Sequence, residues 1–96
     1  LHESVKPYFV QQPGRVIRRE QDFSDLEGNL LRMDRVIIDQ DRVMVMDYKT
    51  GGDKKAEERY ICQLKNYMRI LKDFYQGKTT EGMIAYVDLK EAVRID

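Results

Sequence analysis

Ninety-six residues make one small domain with a single core of modest stability. The 17 Lys and Arg balance the 17 Asp and Glu, so net charge selects no polyanionic partner and local patches must decide. One cysteine, Cys62, excludes an internal disulfide and fits a reducing compartment, the cytoplasm; no apolar run nears the roughly 20 residues of a membrane helix, and no signal-peptide pattern opens the chain.

In chain order, Leu1 to Gly14 has no clear period, with Tyr8, Phe9 and Val10 expected to pack on a sheet and Pro13-Gly14 marking a turn. His2, the only histidine, reads as an incidental terminal residue. Val16 to Phe23 reads as a strand, though its alternation is poor, and Asp25 to Asn29 is turn chemistry. Leu30–Ile38 and Val43–Met46 follow as β-branched, apolar strands separated only by Asp39, Gln40 and Asp41. That is a hairpin signal, and it makes an antiparallel meander of the first three strands.

Thr50-Gly51-Gly52 lets the chain leave the sheet sharply, and Asp53 is placed to cap a helix. From about Lys55 to Gln76 the apolar residues Tyr60, Leu64, Tyr67, Met68, Leu71 and Phe74 recur at helical spacing, with Gly77 as the stop. Gly82 to Val87 is a short apolar strand, and Glu91 to Ile95 is an edge strand or a tail. A right-handed β-α-β crossover would set Met83–Val87 parallel to Val43–Asp47. The expected fold class is α/β: a mixed sheet with an antiparallel β-meander followed by a β-α-β crossover.

The meander carries the chemistry. With a loop at Gln40–Asp41, residues whose numbers sum to about 81 face each other, so Asp34 opposes Asp47, and Lys49 shares the Asp47 face. In the first hairpin a sum of about 54 sets Glu20 beside Asp34, unless the register slips by one residue and turns it to the other face. Two carboxylates side by side call for a cation, and oxygen donors suit Mg²⁺ or Mn²⁺. Asp34, Asp47 and the Tyr48 carbonyl are the candidate ligands, with Lys49 as the candidate catalytic cation. Taken alone, Asp-x-Lys also describes a solvated strand end. Gln63 and Tyr67 also describe half-buried helix residues, and Glu20 an exposed strand glutamate. Arg35 suits a phosphate or an ion pair, and Cys62 a small residue in or near the core. The basic residues Lys54, Lys55, Lys65, Arg69 and Lys72 look like a solvated helix face, some of which could follow a phosphate backbone.

Read together, Glu20, Asp34-Arg35, Asp47-Tyr48-Lys49-Thr50-Gly51 and Gln63-x-x-x-Tyr67 resemble the nuclease domain of RecB/AddA-type helicase–nucleases, within the PD-(D/E)XK superfamily. The resemblance runs from about Phe9 to Val87. It implies a restriction-endonuclease-like core and an exonuclease that hydrolyses DNA phosphodiesters with Mg²⁺ or Mn²⁺ in end processing and recombinational repair. Asp34, Asp47, Lys49 and Glu20 match the catalytic set, and Gln63 and Tyr67 match a helix motif associated with DNA contact. Helicase domains, in the same chain or a partner subunit, are the implied neighbours, and residues 1–96 are expected to be a single nuclease-like domain cut from such a protein. Two departures stand out: Arg32 occupies a position where many relatives carry glycine, and His2 lies too near the first strand to match the family's upstream metal-site histidine. No four-cysteine pattern supports an iron–sulfur cluster. A catalytically silent DNA-binding or subunit-contact module is the alternative reading.

Overall fold

The computed structural model describes residues 6–24, 27–49, 56–87 and 91–96. His2, Asp25-Leu26, the Thr50-Gly51-Gly52 exit, the Asp53 cap and Lys54-Lys55 lie outside the described residues. A short 3₁₀ turn, Lys6–Phe9, precedes strands β1 (Val16–Ser24), β2 (Leu30–Ile38) and β3 (Arg42–Lys49). Helix α1 (Glu57–Phe74) crosses to β4 (Thr79–Tyr86), and β5 (Glu91–Ile95) ends the chain. The strands form one sheet in the order β1-β2-β3-β4-β5. All neighbours are antiparallel except β3 and β4, which are parallel and joined through α1. This is the mixed α/β architecture expected from the sequence, with Glu91–Ile95 resolved as an edge strand.

Side-chain alternation on β3 sorts the core into two layers. Val43 and Val45 pack with Leu64, Tyr67, Met68 and Leu71 of α1 and with Ile84 and Tyr86 of β4. Met44 and Met46 face the other way, with Ile37 and Met83, against Tyr8, Phe9, Ile17 and Tyr48. Tyr8 and Phe9 thus pack on the sheet as expected, whereas Val10 stays exposed. The β3–β4 strands are apolar on both sides because both faces are covered.

The N-terminal segment is fixed by Arg15. Its guanidinium donates to both Asp39 carboxylate oxygens, at 2.7 and 3.0 Å, and to the carbonyls of Pro7 and Val10. This bidentate partner holds the Asp39 carboxyl below its ordinary pKa. Lys78 Nζ ties the same β2–β3 turn to the start of β4 by donating to the carbonyls of Asp39 and Gln40. That tie accounts for β4 beginning at Thr79, opposite Arg42, earlier than the apolar run at Gly82 suggests.

Helix α1 begins with Glu57 and Glu58, which suit the positive end of its dipole, and its N-cap, Ala56, makes no side-chain capping bond. Its end is set by Gly77, whose φ of 90° only glycine adopts freely. Cys62 is exposed, not a core residue. No helix among the described residues is long and apolar enough to cross a membrane.

The helix sits close on β4 because Gly82 has no side chain. A β-carbon there would lie 2.7 Å from Met68 Sδ and 2.9 Å from Leu64 Cδ2. Leu64 is fully buried and has little room to yield. Gly82→Ala is therefore expected to destabilise the domain by about 1–3 kcal/mol, read as a lower urea midpoint with an unchanged m-value.

Candidate active site

The ladder between β2 and β3 keeps the predicted register, with Ile38 facing Val43 and Arg35 facing Met46, and stops there. Asp34, the next residue, does not continue it. Its carboxylate oxygen Oδ2 instead accepts a hydrogen bond from the backbone N–H of Tyr48 at 2.8 Å, a charge-assisted bond in place of a ladder bond. A strand residue directs its N–H and C=O to the same edge, so the Tyr48 carbonyl also faces the gap where β2 leaves β3.

The departure of β2 coincides with a break in alternation. Met33 and Val36 pack in the same core layer, which strict alternation forbids for residues an odd number apart. On β1, Ile17 belongs to one layer and Phe23 to the other. The pairing of Arg19 with Arg35 and of Gln21 with Met33 keeps the predicted register but omits Glu20 and Asp34. Glu20 has a φ of 50°, a left-handed conformation that accounts for the poor alternation of β1. Glu20 is exposed, and among the described residues no third carboxylate joins Asp34 and Asp47. The structure corrects the expectation that Glu20 enters the cluster: the backbone twist at its own position takes it out.

Asp47, in step with Val43 and Val45, points to the α1 face and is buried, at 6% exposure. Burial is the largest influence raising its pKa; Lys49 opposes the rise and the Asp34 carboxylate adds to it. Lys49 Nζ lies 2.9 Å from Asp47 Oδ2. The approach is ionic and poorly aligned, and Oδ2 remains a buried oxygen without a hydrogen-bond partner among the described residues. The ammonium also donates to Gln63 Oε1 at 3.3 Å and sits 4.4 Å from the ring centre of Tyr60. Tyr67, one helical turn beyond Gln63, is buried; burial and the nearby Asp47 and Asp34 charges raise its pKa and keep the phenol protonated.

Asp34, Asp47, Lys49, Gln63 and Tyr67 therefore converge at one end of the sheet, beneath the N-terminal half of α1. Arg35 does not. Its side chain lies on the opposite face, where Nε donates to the Tyr8 carbonyl at 3.2 Å and the guanidinium stacks 4.3 Å from the Phe9 ring centre. At 8% exposure it braces the N-terminal turn, which corrects the expectation of a phosphate contact. Arg32 pairs with Asp22 across the first hairpin, away from the cluster. Tyr60 is the contributor that sequence reasoning missed. It reads as one more apolar helix residue, and its position one turn before Gln63 was the available signal.

Asp47 is costly to keep ionised. In the metal-free protein its native pKa exceeds the ordinary 3.8, so the native state holds the proton to higher pH than the unfolded chain. Stability then falls as pH rises through that window. Asp47→Asn is expected to remove this fall and to be the more stable protein at neutral pH. Urea titrations in EDTA from pH 3.5 to 7.5 check it; an Asn variant that follows the same pH course as the native chain refutes the assignment.

The family model described as the PD-(D/E)XK nuclease superfamily matches residues 4–95. A comparison with curated proteins returns no match.

Proposed function

Because the chain belongs to the PD-(D/E)XK nuclease superfamily, we propose that it is a Mg²⁺- or Mn²⁺-dependent deoxyribonuclease domain of exonuclease type. Its place in this reading is a RecB/AddA-like helicase–nuclease that processes DNA ends for recombinational repair. The observation that carries the activity is the convergence of Asp34, Asp47 and Lys49, with the ammonium 2.9 Å from a buried carboxylate oxygen.

Nucleases of this superfamily generally use divalent metals, and the donor set here fits one. Among the described residues Asp47 Oδ2 is buried with no partner beyond its ion pair to Lys49, and the neighbouring Asp34 raises the Asp47 pKa further. Both are features that a hard cation relieves. Mg²⁺ keeps several waters and takes one or two protein carboxylates, so Asp34 and Asp47 suffice as side-chain ligands, with the Tyr48 carbonyl as a third donor. When bound, the metal supplies charge neutralisation at the phosphate and a more acidic water.

The chain's own groups do the rest. Hydrolysis adds a water oxygen to phosphorus and breaks the bond to the leaving oxygen, and negative charge builds on the phosphoryl oxygens. Lys49 is the group positioned to meet that charge with an N–H donor. Gln63 and the Tyr60 ring restrict where its flexible stem can place the ammonium, so less reorganisation is needed in the transition state. Tyr67, held neutral, is a hydroxyl donor at the same wall.

The reading is tested by Mn²⁺ calorimetry and by degradation of end-labelled linear DNA. Asp47→Ala is expected to abolish metal binding. Lys49→Ala is expected to retain it while slowing cleavage by roughly 10²- to 10³-fold, with circular dichroism showing both variants folded. EDTA is expected to stop cleavage. Cleavage that persists unchanged in both variants overturns the assignment.

A further inference from the structure

The groove between the C-terminal half of α1 and the start of β4 has a volume of about 510 Å³ and is lined by Lys65, Arg69, Lys72, Lys78, Thr79 and Thr80, together with Met68 and Asp96. We propose that it is a second phosphate-binding site, one that anchors the DNA backbone away from the carboxylates. This rests on the nuclease reading for the identity of the ligand, but on separate residues for the site.

Lys65, Arg69 and Lys72 follow one another at i, i+4 and i+7 and so form a single stripe along the helix. Interleaved acids in the sequence suggest an ordinary solvated face, but none of Glu57, Glu58 and Asp73 lines the groove. Glu57 accepts a hydrogen bond from the Tyr86 hydroxyl at 2.8 Å. Arg69 turns to the side-chain oxygen of Asn66, not to Asp73. Lys78 is held at the rim by its bonds to the carbonyls of Asp39 and Gln40, the latter at 2.8 Å. Among the described residues the one carboxylate lining the groove, Asp96, lies 3.4 Å from Arg94 Nε. Thr80 Oγ1 is buried and has no hydrogen-bond partner among the described residues. Four cations against one carboxylate, in a chain of zero net charge, is a local excess complementary to a phosphodiester backbone.

The groove and the carboxylates lie on opposite flanks of α1. Gln63 and Tyr67 fall on one side of the buried Leu64–Leu71 line, and the basic stripe falls on the other. Along the strands, Thr79 pairs with Arg42 and Ile84 with Asp47, a separation of roughly 16 Å at about 3.3 Å per residue. A stacked DNA strand, rising about 3.4 Å per nucleotide, covers that distance in about five nucleotides.

The test is DNA binding by fluorescence anisotropy in EDTA, with a labelled 20-nucleotide single strand over a salt series. In the triple variant Lys65→Gln/Arg69→Gln/Lys72→Gln, the slope of log affinity against log salt is expected to fall by about 2, at about 0.7 per lost single-strand phosphate contact. Lys72→Gln alone is expected to lower it by about 0.7. An unchanged slope in the triple variant, confirmed as folded by its thermal transition, overturns the proposal, as does an absence of DNA binding by the native chain. Cleavage with Mn²⁺ separates the two readings: a reduced slope with an inactive native chain removes the nuclease assignment and keeps the groove, and an active native chain with an unchanged slope does the reverse.

Discussion

A backbone amide that bonds to a side chain instead of a neighbouring strand shapes this domain's working end. By taking the Tyr48 N–H, Asp34 ends the β2–β3 ladder and lets β2 diverge. Divergence opens the wedge in which Asp47 and Lys49 turn toward α1, and it gives the Tyr48 carbonyl an edge without a paired strand. A third strand residue closing the ladder in place of Asp34 would satisfy the same amide and leave no site.

Much of this was legible in the residues. The meander, the crossover, the register of both hairpins and the helix followed from apolar periodicity and short turns, which are local signals. The proximity of Asp34 and Asp47 followed from register alone. Two placements were not legible. Glu20 keeps its register position opposite Asp34, yet its left-handed φ removes it from the cluster; the weak alternation of β1 was the only trace of that irregularity. Arg35 sits beside Asp34 in sequence but points to the other face, where a segment with no period of its own, Tyr8 and Phe9, comes to meet it. Long-range contacts by an aperiodic segment leave no pattern to read.

The site also shows why its helix matters beyond covering the sheet. A buried carboxylate beside another carboxylate opposes folding, and the single ammonium answers it incompletely. Gln63 and Tyr60 hold that ammonium from a different element. The electrostatic tension arises in the meander and its restraint comes from the crossover, so Lys49 adds an electrostatic link to the packing the two halves of the fold already share.

The start of α1 then acquires a meaning of its own. Ala56 offers no side chain to the first free amides, and the Glu57–Tyr86 hydrogen bond is the tether described there. Helix ends without caps are where local opening is cheapest. Tyr60 and Gln63 lie within the first two turns, so the groups that restrain Lys49 sit at that end of α1. The restraint on Lys49 therefore depends on the local stability of one helix end as well as on that of the whole domain.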